Sequence, residues 1–290
     1  MAGLDNFLGL DERSSDYANA RFAVLPIPYD STTSFAPGTR DGPRAIITAS
    51  QQVELYDEEL GRESHRAGVA TLPAVETDVS APEKTLAAVE RAARRIVRDK
   101  KFLVGLGGEH SVSAPLIRAV RTAHRDLSVL QIDAHADLRD SYQGSPHSHA
   151  AVMRRVHDMK IPAVAVGIRN YCADEARFIR SERLPIFPAR LCRRSDTWIN
   201  EVVALLSPNV YVTIDIDGFD PAYAPGTGTP EPGGLDWFQV TELLAAVARQ
   251  RRIVAADLVE VRPIPPNHVT EFLAAKLLYR LIGLVAGARR

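Results

Sequence analysis

Short apolar runs recur along this chain, and each one stops at a polar or glycine-rich step. Residues 21–27, 101–106, 127–132, 161–167, 184–187, 209–216 and 253–261 have strand length and a high content of Val, Ile, Leu and Phe. The segments between them carry apolar residues at helical spacing. The clearest, 85–100, places Leu86, Val89, Ala93, Ile96 and Val97 on one face and arginines opposite, after a Ser80-Ala-Pro-Glu83 capping pattern. Further helices are expected near 45–53, 112–125, 149–159, 174–181, 197–206, 237–251 and 269–284. Strands that alternate with helices build a mostly parallel sheet covered on both faces. The expectation is one α/β domain with about eight strands over residues 21–290, behind a polar N-terminal arm over 1–20.

Composition narrows the function classes. Hydrophobic residues make up 46% and charged residues 24%, ordinary values for a globular chain. The net charge is −1 with Lys and Arg spread along the sequence, so no nucleic-acid surface is expected. No apolar run approaches the roughly 18 residues a membrane span needs. Cys172 and Cys192 make no disulfide framework and suit a reducing compartment. The first residues show no basic region followed by an apolar core. No signal peptide is therefore expected, and the expected location is the cytoplasm.

The polar insertions follow strand C-terminal ends, where open parallel sheets place their sites. Asp133-Ala-His135-Ala-Asp137 closes the run 127–132, and strand alternation would turn all three polar side chains to one side. Asp215 and Asp217 end the run 209–216 in the same way, and His110 follows the run 101–106 within Gly107-Gly-Glu-His-Ser. Carboxylates gathered at strand ends repel unless a cation lies between them. His110, Asp133, His135, Asp137, Asp215 and Asp217 offer imidazole and carboxylate without thiolate. That set suits Mn²⁺ better than a structural zinc. Six side chains exceed one tetrahedral ion and suit two ions about 3.5 Å apart that share an acidified water. Asp220, before Pro221, is expected to cap a turn. Glu109 is expected to face away or to cap the next helix.

With these motifs in view, the sequence resembles the arginase/agmatinase (ureohydrolase) family. Gly-Gly-Glu-His-Ser at 107–111, Asp-Ala-His-Ala-Asp at 133–137 and the Asp-x-Asp-x-x-Asp-Pro to Pro-Gly-Thr-Gly-Thr-Pro stretch at 215–230 match that family's metal motifs in order. The resemblance implies a three-layer α/β/α sandwich of the arginase/deacetylase kind around an eight-stranded, mostly parallel sheet. It also implies two Mn²⁺ ions per subunit, hydrolysis of a small guanidino substrate to an amine and urea, and a homo-oligomer, trimer or hexamer. By the same resemblance His110 and Asp137 hold one ion, His135 and Asp217 the other, and Asp133 and Asp215 bridge. The bridging hydroxide attacks the guanidinium carbon, and Asp137 handles the proton. Glu260 matches the guanidinium-binding glutamate, its bland alternative being a pairing with Arg262. His149 matches a proton-shuttling histidine whose ordinary pKa near 6.5 fits that role, with His147 as its competitor.

The loop 138–147 contains no Asn, unlike the arginase loop that grips an amino-acid end. Residues 32–43 and 148–155 look more like agmatinases, so agmatine, giving putrescine, is the expected substrate. Aminopropylagmatine, guanidinobutyrate, arginine, formiminoglutamate and guanidine are the alternatives, and Arg139 would serve a substrate carboxylate. A mononuclear zinc amidohydrolase would lack the paired ligands. A non-catalytic regulatory homologue would be expected to have lost a ligand or Glu260.

Overall fold

The computed structural model describes residues 5–78, 80–194 and 197–288. Among them, eight strands form one sheet: β1 (Phe22–Ile27), β2 (Val69–Thr71), β3 (Phe102–Gly107), β4 (Leu127–Ile132), β5 (Ala163–Ile168), β6 (Ile186–Pro188), β7 (Asn209–Asp215) and β8 (Arg252–Val259). Their order is β2-β1-β3-β8-β7-β4-β5-β6, and every pairing is parallel. β2 is the strand the apolar pattern misses. It has three residues and pairs only with β1, too short for a period to register.

Successive residues of a strand enter opposite cores. In β1, Phe22 and Val24 belong to one hydrophobic core, whereas Ala23, Leu25 and Ile27 belong to the other. The first core is closed by helices α1 (Gly42–Ser50), α6 (Trp198–Leu205), α7 (Trp237–Gln250) and α8 (Val269–Gly287). The second is closed by α2 (Pro82–Arg98), α3 (Ser113–Arg121), α4 (Val152–Asp158) and α5 (Ala173–Glu182). The result is the expected α/β/α sandwich. None of its helices is long and apolar enough to cross a membrane, among the described residues.

Two expectations shift. Within the stretch expected as an arm, Phe7, Leu8 and Leu10 are buried in the first core. The main-chain N–H of Leu8 donates to Ser50 Oγ at 2.7 Å, and that of Phe7 to Thr71 Oγ1 at 2.9 Å. So short an apolar step inside a polar stretch carries no readable period. Ser80 does not cap α2. Ala81 takes that position, and the Ser80 hydroxyl binds Asp78 instead.

The topology opens a crevice. From β3 the chain crosses to β4, and β7 and β8 later fill the two places between them. The carboxyl ends of β3, β8, β7 and β4 therefore lie side by side, although their residues are spread from 107 to 260 in sequence. Gly108 locks two of these ends. Its N–H donates to Ile27 O at 2.9 Å and its carbonyl accepts from Glu260 N–H at 2.8 Å. A Cβ at Gly108 would lie 1.9 Å from the Tyr29 carbonyl oxygen, so only glycine permits this approach. Gly108→Ala is expected to cost about 1–3 kcal/mol of stability, read as a lower urea midpoint. An unchanged midpoint would show that the Tyr29 loop yields freely.

Candidate metal centre

The polar side chains converge by turns rather than by strand alternation. β4 ends at Ile132, before Asp133. The His135 N–H donates to Asp133 Oδ1 at 2.6 Å, and Gln131 Nε2 donates to Asp133 Oδ2 at 2.8 Å and to His135 O at 3.0 Å. Asp137 then adopts φ +53°, the left-handed region that ordinary side chains avoid. At the second strand end Asp215 closes β7 and Asp217 lies in a 3₁₀ turn, Ile216–Gly218. Asp215 Oδ1 caps that turn by accepting from Asp217 N–H at 2.9 Å. The expected pleat thus gives way to Asx-type turns, which local hydrogen bonding favours at strand ends.

All six expected ligands meet. His110, Asp133 and Asp137 form one compact group of donor atoms, and Asp133, His135 and Asp217 form a second, so Asp133 belongs to both. His110 Nδ1 lies 3.2 Å from Asp133, 3.1 Å from Asp137 and 3.4 Å from Asp215. Yet that buried nitrogen has no hydrogen-bond partner of acceptable geometry. An unpartnered imidazole nitrogen among three carboxylate oxygens fits a divalent cation. His135 Nδ1 lies 3.0 Å from Asp217 Oδ2.

Protonation follows from this crowding. Burial would lower His110, but Asp133, Asp137 and Asp215 hold it well above its ordinary value. Burial also acts against His135, and Asp217 overrides it, raising the ring to about 11. Burial and Asp133 push Asp137 up to about 7. Burial and Asp217 push Asp215 well above the carboxylate range, whereas the neighbouring His135 outweighs burial and brings Asp217 to about 2.

A second layer holds these groups, and most of it is not legible in the motifs. His110 Nε2 lies 2.9 Å from Thr213 Oγ1. Thr213 and Tyr211 each donate at 2.6 Å to Asp257, which is fully buried. Thr213 Oγ1 spends its proton on Asp257, so it accepts from Nε2–H, and Nδ1 is left to face the carboxylates. The one available signal is an acid in the middle of the apolar run 253–261. Arg169 donates to the carbonyls of Asp217 and Glu231, both at 2.7 Å, and to those of Gly167, Gly218, Phe219 and Pro232. It pins the loop that follows β7, from Asp217 to Pro232. Asp220 caps as expected, accepting from Ala222, Gly233 and Gly234 N–H.

Glu260 follows β8 with φ +63° and accepts from His110 N–H at 2.7 Å. Burial and the nearby Glu109 push its carboxyl well above the usual range. Arg262 turns away and donates to Pro37 O, so the bland Glu260–Arg262 pairing is absent. His149 is held between Thr32 and Ser34, while His147 lies 3.6 Å from the exposed Glu83. Burial lowers His149 to about 4, in place of the expected ordinary value. Arg139 stacks over Tyr142 at 4.7 Å and lies 4.0 Å from Glu175. Glu109 takes the N-cap position of the 3₁₀ turn His110–Val112, one of its two expected roles, but its side chain caps no main-chain N–H of that turn and faces inward, onto Thr32.

A parallel α/β sandwich with this crevice defines a hydrolase of the arginase kind. The chain belongs to the arginase family, whose model matches residues 20–283, and it is a ureohydrolase acting on guanidino compounds. It is 40% identical over 291 residues to the N(1)-aminopropylagmatine ureohydrolase of Synechocystis sp., covering 96% of this chain and 94% of that one. It is 35% identical over 272 residues to the agmatinase of Pyrococcus horikoshii, covering 93% and 94%. The agmatine ureohydrolase structure of Thermoplasma volcanium superposes with a TM-score of 0.88 at 32% identity, covering 97% and 94%.

Two measurements test this geometry. Because His135 holds its proton up to about 11 and His110 well above 6.5, cations that take both Nδ1 atoms must displace protons near pH 8. Mn²⁺ loading is expected to release protons, and affinity to rise with pH. Calorimetry in buffers of different ionisation heat reads this, and proton-neutral binding would remove the two imidazoles from the ligand set. Arg169→Ala is expected to speed amide exchange across 217–232 while the β4 amides stay protected. Unchanged exchange would deny it the pinning role.

Proposed function

We propose that the chain hydrolyses the guanidino group of an agmatine-class amine, releasing urea and a polyamine. The reading is carried by the convergence of His110, Asp133, His135, Asp137, Asp215, Asp217 and Glu260 from four adjacent strand ends. In it, His110 and Asp137 would hold one divalent cation, His135 and Asp217 the other, with Asp133 and Asp215 shared between them, a donor set suited to Mn²⁺. When bound, the two cations supply Lewis-acid activation of water near neutral pH.

The remaining work falls to side chains. Glu260 Oε1 is tied to the His110 main chain, which leaves Oε2 to accept from the planar guanidinium in charge-assisted hydrogen bonds. Asp137, whose carboxylate lies beside His110 at the crevice, takes a proton and delivers it to the leaving amine. Burial lowers His149 to about 4, so it stays unprotonated across the neutral range with one ring nitrogen open to the reacting groups. Residues 21–290 act as one catalytic domain, within a cytoplasmic homo-oligomer, trimer or hexamer.

Two observations support a choice of substrate tail. Arg139 stacks on Tyr142 beside Glu175, which favours a substrate tail without a carboxylate over arginine and guanidinobutyrate. The relative at 40% identity is named for aminopropylagmatine, which makes that amine the first choice. Agmatine is the second, favoured by the relative at 35% identity and by the loop sequences.

A urea-release panel with Mn²⁺ is expected to rank aminopropylagmatine first, agmatine next and arginine far behind. Preference for arginine would overturn the reading. Asp137→Asn is expected to reduce kcat by at least about 100-fold while the far-UV spectrum stays native. His149→Ala is expected to cost more activity than His147→Ala, and the reverse order would move the proton role to His147.

A further inference from the structure

One buried carboxylate beside the cluster has no part in the chemistry above. Glu109 is fully buried, and its N–H donates to Tyr29 O at 2.7 Å. Its side chain accepts from Thr32 N–H and Thr32 Oγ1, both at 2.6 Å, and from the Ser111 hydroxyl. A hydroxyl has a single proton, and that of Thr32 is spent on Glu109. The Thr32 oxygen can then only accept from its other neighbours. Both are in His149: the main-chain N–H at 3.0 Å and ring Nδ1 at 3.4 Å. Ring Nε2 points the other way, 3.4 Å from Ser34 Oγ. Ser148 Oγ, 3.3 Å from Nδ1, accepts from Ala150 N–H and keeps its own proton uncommitted, so the assignment of the Nδ1 proton rests on Thr32.

We propose that Glu109 acts through Thr32 as a positioning pair, seating His149 over the site and keeping its proton on Nδ1, so that Nε2 presents the lone pair. The series Glu109–Thr32–His149 links the end of β3, the loop after β1 and the turn before α4. Glu109 and His149 lie 77 and 117 residues from Thr32 along the chain. The inference rests on the reading that His149 accepts a proton from the reacting groups, and it names the nitrogen that does so. It also accounts for the long loop 28–44, in which Thr32 and Ser34 bracket the imidazole from the two ring nitrogens.

The test uses full-length enzyme loaded with Mn²⁺ and ¹⁵N-histidine labelling. Wild type is expected to show the Nδ1–H form for the His149 resonance, assigned by its loss in His149→Ala. Thr32→Val keeps the side-chain shape without the hydroxyl. It is expected to lower kcat by up to about 100-fold, with KM and Mn²⁺ affinity within about twofold of wild type. Thr32→Ser restores the hydroxyl and is expected to recover most of the rate and the Nδ1–H signal. Glu109→Gln, which sets an amide where the acceptor was, is expected to mix the two tautomers. An Nε2–H form in wild type overturns the proposal. So does a Thr32→Val enzyme with wild-type kcat, or one whose loss Thr32→Ser does not repair. If His149→Ala itself has wild-type activity, the role given to His149 fails, and the ring spectrum still decides whether Thr32 sets the tautomer.

Discussion

Negative charge crowded at the carboxyl ends of four parallel strands is the constraint that the rest of this structure answers. Glu109, Asp133, Asp137, Asp215, Asp217 and Glu260 are all buried there. Carboxylates taken out of water lose hydration and repel one another, at a cost of several kcal/mol each if nothing meets them. The chain meets them partly with its own backbone. Asp133 accepts from His135 N–H, Asp215 from Asp217 N–H, Asp217 from Ala134 N–H and Glu260 from His110 N–H. Each of these four carboxylates is thereby oriented by a main-chain donor. The two imidazoles supply part of the remaining compensation. What is left is a strongly electronegative cleft that suits divalent cations and a guanidinium.

Local strain accompanies that arrangement. Asp137 and Glu260 both have positive φ, a conformation that costs a non-glycine residue of order 1–3 kcal/mol. Neighbouring contacts over-determine both. The Asp137 carbonyl accepts from Met153 and Arg154 N–H at the start of α4, and Glu260 N–H is fixed to Gly108. At these two positions the strained residue aims a side chain into the crevice, while the strands beneath are buried on both faces. Arg169 fits the same logic. It spends its guanidinium on carbonyl oxygens, so the loop after β7 is ordered without placing a cation among the carboxylates.

Much of this is readable along the chain. β1, β3, β4, β5, β7 and β8 lie within two residues of the apolar runs, because strands buried on both faces must be apolar throughout. The short edge strand β2 and the buried Phe7–Leu10 step are not readable, because three or four residues cannot display a period. The six carboxylate and imidazole side chains at the centre stand out for a different reason: polar residues at the ends of buried strands have no bland explanation when they occur in clusters. The route to convergence differs from the one strand alternation predicts, since Asx turns and a left-handed Asp137 replace the pleat. His149 is recognisable in the sequence but its environment is not, because only a folded chain can desolvate it.

Residue order alone determined which groups would be offered: the imidazoles and carboxylates, the glycines that let backbones touch, and the alternation that demands a parallel sheet. Those are local properties, set by side-chain chemistry and by the geometry of a strand. Tertiary structure decided which groups face one another. Thr213 reaches Asp257, Arg169 reaches the carbonyls beyond β7, and Glu109 reaches Thr32 only because the sheet order puts distant segments side by side. Hydrogen bonds and desolvation act over a few ångströms in space, and no spacing along a sequence encodes that distance directly.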